Sequence, residues 1–337
     1  MLRKQIIATT EIDKQNQQIP LEELENIAVT MTDSYFATRM GIGHDATILP
    51  IGKVLRGNII KIDNGKSALE TQIDDFISEF QTCNGPNGEA LYVGGSKYDT
   101  RPFIHYGSDD HNDFIVSINP VYFEKEDYIE IGKYLKECDA SIESVVQKAA
   151  IPEIEIGFKV IVGVFAYLLG RKTLNKTTDK LSEQIADDVV KCYEGIKKAV
   201  KFIFGKVRGS RTVTYVLSEP NQPIELVVCT DNAQTVMQAY DALADGTVTV
   251  AVEKYMKYLH GTIDKIQFLY NVNSEKWELN YIVTVTGQVI GTEKCYKRAV
   301  KLYDKTMQSP TVGFSIGGPV SFNEQVEENE DTSEDEE

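Results

Sequence analysis

Between Leu181 and Ile203, apolar residues recur at alternating steps of four and three: Leu181, Ile185, Val189, Cys192, Ile196, Ala199 and Ile203. An α-helix gathers such a series onto one face, because residues three and four apart are neighbours on its surface. The stripe has to be covered, either by the chain's own core or by a second copy, so a homo-oligomer built through the 181–203 helix is one expectation. Charges along the same stretch agree with a single long helix. Asp179, Glu183, Asp187 and Asp188 lie early, Lys197, Lys198, Lys201 and Lys206 late, each sign at the end where the helix dipole stabilises it.

On either side of this helix the patterning is mixed, and the fold class expected is α+β. KQIIATTEI and ILPIGKVLRGNIIKID read as strands, IPLEELENIAVTM as a helix opened by Pro20, and SALETQIDDFISEF as an amphipathic helix presenting Leu69, Ile73, Phe76, Ile77 and Phe80. CNGPNGEALYVGGSKYDTRP is a loop or hairpin, and DFIVSINPVYF a strand. EKEDYIEIGKYLKECDASIESVVQKA reads as helix up to Pro152, and a helix-rich middle continues from Phe158 to about Lys206. Beyond Arg211 come a hairpin (RTVTYVLSE and PIELVVCTD), a helix capped by Asn232 or Asp231, a helix stopped by Gly261, a hairpin across NSEK and a closing helix, TEKCYKRAVKLYDKTM. The expected organisation is a β-rich domain over 1–123, a helical segment over 124–208, an α+β domain over 209–322 and a disordered acidic tail over 323–337.

That tail holds nine carboxylates and no Lys or Arg after Phe322, more than half of the net charge of −16. With Val326 as its one apolar residue it has nothing to bury, and it reads as a solubilising segment or a docking tail for a basic partner. An acidic chain of this kind is not expected to bind nucleic acid, since phosphates would be repelled. Five dispersed cysteines without a CxxC pair suit a reducing compartment. The opening is broken by charge too early for a secretory signal, and VIVGVFAYLLG is too short to cross a bilayer, so no membrane partner is expected.

No phosphate loop, Rossmann glycine fingerprint, zinc-finger spacing or EF-hand loop occurs, and no cofactor or metal is expected. The stretch GIGHDATILPIGKV, residues 41–54, sets His44 and Asp45 ahead of the turn Pro50-Ile51-Gly52, and upstream of it Asp13 and Ile19 bracket a strand–loop–helix opening. In this order the residues resemble the start of the phage prohead (capsid maturation) proteases, over residues 1–65. The resemblance implies a serine-protease site with His44 as general base. Such a base is needed because a serine hydroxyl is a weak nucleophile until an imidazole accepts its proton. It also implies a nucleophile in a Ser-Ile-Gly-like strand downstream, and two serines are candidates, of which one at most can serve. Ser117 comes in about the expected order. Ser315, in VGFSIGGPV, is the closer local match but lies beyond the whole helical and α+β middle. Asp45 adjoins His44, and neighbouring residues of an extended chain face opposite ways, so it is a poor orienter for that imidazole.

A second polar concentration, FIHYGSDDHNDF at 103–114, holds His105, Asp109, Asp110, His111 and Asp113. Such groups suit zinc or manganese, but the histidine spacing is not that of helical ligands and Gly107-Ser108 marks a turn, so a solvated loop is expected. His260, near a helix end, has no assigned role beyond favouring the dipole. Functionally the expectation is a phage- or prophage-related protein that uses a prohead-protease-like domain as a structural or interaction module. A serine-type endopeptidase acting on a protein substrate is the enzymatic alternative, and a cytosolic bacterial phage-defence sensor or effector a third. The place expected is the bacterial host cytoplasm or the virion.

Overall fold

The computed structural model describes residues 2–12, 18–43, 45–104, 114–118, 122–146, 154–160, 162–169, 179–207, 212–219, 222–308, 314–316 and 320–322. In chain order its elements are β1 (Leu2–Thr9), α1 (Leu21–Asp33), β2 (Arg39–Ile42), β3 (Gly52–Lys61), β4 (Ser67–Asp75), β5 (Gln81–Asn84), β6 (Ala90–Gly94), β7 (Phe114–Ile118), α2 (Lys125–Leu135), β8 (Ala140–Val146), β9 (Ile154–Lys159), α3 (Val162–Leu168), α4 (Asp179–Lys206), β10 (Val213–Ser218) and β11 (Ile224–Thr230). The remainder are α5 (Ala233–Ala242), α6 (Thr247–Tyr258), β12 (Ile263–Asn271), β13 (Lys276–Thr284), β14 (Val289–Thr292), α7 (Glu293–Gln308), β15 (Phe314–Ile316) and β16 (Val320–Phe322). The fold is α+β, organised around two sheets.

The smaller sheet runs β1-β4-β3-β2-β15, with every pair antiparallel. Leu24, Ala28 and Met31 of α1 pack on it together with Met40, Ile42, Val54, Leu69 and Ile73. The same core takes in Tyr281, Val283 and Val289 of the other sheet and Cys295 and Ala299 of α7, so burial of apolar surface joins the two layers. Asp99 and the half-buried Arg101 hold the loop after β6 in place. Arg101 donates to the carbonyls of Ser34 at 3.0 Å and of Met31, Val54 and Leu55 at 3.3–3.4 Å, and pairs with Asp99 at 2.6 Å. Beneath it Lys53, fully buried, donates to the carbonyls of Asp99 and Arg101, and burial pulls its ammonium down to about 8.

The larger sheet runs β16-β8-β7-β9-β10-β11-β12-β13-β14-β6-β5 and mixes parallel with antiparallel pairs. Alternate residues of its strands, such as Val116 and Ile118, Ile154 and Ile156, Tyr215 and Leu217, Leu226 and Val228, bury in one core with residues of α2 to α6. The apolar stripe of α4 belongs to this core: Val189, Cys192, Ile196, Ala199 and Ile203 are covered by the chain itself, so these five positions are not open to a second copy. VIVGVFAYLLG supplies α3, whose Val164, Phe165 and Leu168 lie in the same core. Among the described residues no helix is long and apolar enough to cross a membrane.

Several elements differ from the sequence expectation. SALETQIDDFISEF forms β4 and a single turn, not a helix. Leu69, Ile73 and Phe76 satisfy helical spacing, but β4 lies between β1 and β3 and buries Ala68, Leu69, Thr71, Ile73 and Asp74, so pairing on both edges overrides the period. The helix expected to continue to Pro152 stops early. Asp139 takes a left-handed conformation (φ 51°) and the β-branched run after it becomes β8, parallel to β7. Phe158, at the head of the helix-rich stretch, lies in β9, and the first helix after it is α3. The larger sheet draws strands from all three expected segments, and β15 returns to the smaller one, so hydrogen-bonded ladders cross the boundaries at 123/124 and 208/209.

Candidate functional site

The turn between β2 and β3 carries the His-Asp pair. Gly43 turns the chain with φ 63°, a conformation that costs glycine little. Residue 44 lies outside the described residues. Asp45 then closes the turn: its Oδ1 accepts from the Thr47 backbone N–H at 2.8 Å and the Thr47 hydroxyl at 2.6 Å, while its Oδ2 takes a hydrogen bond from the Arg298 guanidinium of α7. Both oxygens of Asp45 are therefore engaged with partners other than an imidazole. Past it, Ile48, Leu49 and Ile51 are buried, and Leu49 seats over Gly291, where a Cβ would lie 2.6 Å from its Cδ2.

The larger sheet grips this turn through its polar positions. Gln267 Nε2 donates to the Ala46 carbonyl at 2.9 Å, and Asn280 Nδ2 to the Thr47 carbonyl at 2.8 Å and to Gln267 Oε1 at 2.6 Å. The Tyr281 hydroxyl lies 3.4 Å from the Ala46 carbonyl. These side chains satisfy loop carbonyls that burial would otherwise leave unpaired, at a cost of about 1–3 kcal/mol each.

Ser315 stands at the edge of the smaller sheet. β15 pairs antiparallel with β2, and Ser315 is opposite Gly41. A Cβ on Gly41 would come 3.0 Å from Ser315 Oγ, so the glycine leaves the hydroxyl its room. Ser315 is 6 % exposed. Strand alternation puts Arg39, Gly41 and Ser315 on one face, the opposite face to Met40 and Ile42 of the apolar core.

Arg39 links that face to a charged cluster on the larger sheet, on the side away from its helices. Glu155 of β9, Glu225 of β11 and Lys265 of β12 all feel the Arg39 charge. Lys265 Nζ bridges both oxygens of Glu225 at 2.9 and 3.0 Å, and Gln267 donates to Glu225 as well. The two carboxyl groups are driven apart. Desolvation pushes Glu155 up to about 7, only partly opposed by Arg39 and further raised by the Glu225 charge. Burial alone would also raise Glu225, but the Lys265 charge and the hydrogen bonds from Gln267 and Lys265 outweigh it and hold the group below its ordinary value. One carboxylic acid near neutrality beside one firm carboxylate is the combination that acid–base chemistry uses, and buried ion networks with a purely structural role produce it too.

The candidate serines fall on different sheets. Ser117 is half-buried on β7, opposite Gly157 of β9, on the face that also carries Glu155. Ser315 is brought to the strand that leads into residue 44. Asp13, His105, Asp109, Asp110, His111 and Asp113 lie outside the described residues, and among the described residues no group of three or more His, Cys, Asp or Glu is placed to hold a metal ion. His260 has a left-handed backbone (φ 52°) at the end of α6, just before Gly261. Arg39, Glu155, Glu225, Lys265 and Arg298 were not singled out by the motifs. For Glu155, Glu225 and Lys265 a signal is present in PEIEIGF, PIELVV and IDKIQF, where a charge interrupts a strand of mostly apolar residues. Comparison of the chain with protein-family models, with curated proteins and with solved structures finds no match.

Proposed function

We propose that the chain is a serine-type peptidase of the prohead-protease kind, with Ser315 as nucleophile and His44 as general base. The observation behind this reading is the pairing of β15 with β2: the serine of the Ser-Ile-Gly stretch lies opposite Gly41, three residues before His44, although the rest of the chain intervenes in sequence. On this reading β5 to α7 form an insertion between base and nucleophile. The chemistry is a proton transfer from Ser315 Oγ to the imidazole as that oxygen attacks a peptide carbonyl, return of the proton to the amine as the C–N bond breaks, and hydrolysis of the resulting Ser315 ester by a water that the same imidazole deprotonates. The substrate is a protein, and the expected setting is phage-related, in the host cytoplasm or the virion.

The test is active-site labelling. A fluorophosphonate probe is expected to modify Ser315 in the folded chain, and both Ser315→Ala and His44→Ala to abolish the adduct while Ser117→Ala leaves it intact. Modification of Ser117 alone, or no adduct in protein whose circular dichroism and unfolding are native, overturns it. One observation favours the second reading, a module that keeps the architecture for protein interaction without catalysis: Asp45 takes hydrogen bonds from Thr47 and Arg298 on its two oxygens, which ties this carboxylate to the turn and to α7 as a structural clasp. A folded protein that never reacts is the result this second reading expects.

A further inference from the structure

Helix α7 carries a dense basic surface on an otherwise acidic chain. Lys294, Lys297, Arg298, Lys301 and Lys305 are exposed along it, against Glu293 and Asp304. Lys297, Lys301 and Lys305 follow one another at steps of four and so share a face. Beside them Tyr296, Val300 and Leu302 form the apolar wall of a groove of about 800 Å³ that all three lysines line. Lys294, Lys297 and Arg298 are partly neutralised by Glu278, Glu293 and Asp45. Lys301 and Lys305 have no ion-pair partner among the described residues.

We infer that this groove is the docking surface for the chain's own acidic tail, residues 323–337. Three observations select that occupant. The first is charge: nine carboxylates and no cation follow Phe322, opposite in sign to the α7 face. The second is composition, since the tail's one apolar side chain, Val326, comes early and suits the wall of Tyr296, Val300 and Leu302. The third is reach. The ring of Phe314, eight residues before Phe322, lies 5.5 Å from that of Tyr303 on α7, so the tail starts within about 30 Å of this helix, and fifteen extended residues span about 50 Å. Tethering holds it at a millimolar-range effective concentration, so a contact too weak to hold a free peptide is populated here. This contact is independent of the peptidase reading.

Zero-length carbodiimide cross-linking of the intact chain tests it, because an amide forms between a carboxylate and a lysine that touch. With equal parts of isotopically light and heavy protein at low salt, tail carboxylates are expected to couple to Lys297, Lys301 and Lys305 within one chain, giving light–light and heavy–heavy pairs. Those links are expected to fall about tenfold near 0.5 M salt, where the Debye length drops to about 4 Å and the exposed charges no longer attract one another beyond contact. Full-length Lys301→Glu/Lys305→Glu, checked for native unfolding, is expected to lose tail coupling at Lys297 as well. Tail links spread evenly over the exposed lysines, links found only as light–heavy pairs between copies, coupling unchanged by salt or by the charge reversal, or no tail links at low salt would each overturn the proposal.

Discussion

Replacing Glu155 by glutamine isolates the electrostatics of the crevice between the sheets. Glu155 is surrounded by protein yet keeps some contact with water, and the groups facing it are Arg39, Glu225, Lys265 and Asp45. Desolvation raises its carboxyl from 4.5 to about 7. Between those values the unfolded chain has released the proton and the folded chain still holds it, so folding takes up a proton and stability falls as pH rises. Below 4.5 both states are protonated and the residue exacts no penalty; above 7 both are ionised and the penalty is complete. A shift of that size corresponds to about 3 kcal/mol, at 1.36 kcal/mol per unit. A glutamine side chain keeps the shape at this position and cannot ionise. Urea unfolding of the two proteins at pH 4.5, 6, 7 and 8 therefore has a defined outcome. Native protein is expected to lose stability relative to Glu155→Gln as pH rises, the difference growing by about 3 kcal/mol and levelling off above 7. Every other titrating group is common to both proteins and cancels to first order in the difference. Two curves that stay parallel across this range, or a difference that changes in the opposite direction, would refute the assignment of a desolvated carboxyl to this crevice.

Two further outcomes are expected. Gly41→Ala puts a methyl group 3.0 Å from Ser315 Oγ; it is expected to cut fluorophosphonate labelling of Ser315 at least about fivefold while costing the fold no more than about 1–3 kcal/mol of overpacking, read as labelling rate against denaturant midpoint. Arg101→Ala leaves the carbonyls of Met31, Ser34, Val54 and Leu55 short of a donor and Asp99 short of its cation, and is expected to cost about 3 kcal/mol, visible as a lowered midpoint in thermal unfolding followed by circular dichroism.

Local signals were legible wherever local chemistry decides. Asn232 caps α5 by accepting from the Gln234 N–H at 2.9 Å, Gly261 turns the chain after α6, and the hairpin across NSEK forms β12 and β13, all as the residues suggest. The α4 stripe was legible as a buried face but not as to what covers it, since period 3.5 reads the same whether the partner is α2, α3 and α5 of one chain or another copy. The errors share a cause. In SALETQIDDF and in ASIESVV the residues have a serviceable helical spacing, and the strand wins because it pairs with the edge of β3 or β7, which is information held elsewhere in the chain.

The candidate site belongs to this non-local class. Nothing around Ser315 announces that its three-residue strand pairs with β2 rather than with another strand, and nothing around Glu155 announces Arg39. What the chain does carry is a compositional trace of the arrangement. A charge placed in the middle of a strand that is otherwise Ile, Leu, Val and Phe costs several kcal/mol if it meets only apolar neighbours. Glu155, Glu225 and Lys265 each break such a run, on three strands of one sheet, with signs that compensate. The three charges require a common, partly solvated space, and the face opposite the helices is where strand alternation can provide it. Arg39 enters that space from the smaller sheet on the same face as Ser315. If labelling identifies Ser315 as reactive, this cluster is the polar ground against which the reaction runs. If it does not, the same charges still fix the register of one sheet on the other, because sliding β2 along β9 and β11 would strand Glu155 and Glu225 from Arg39.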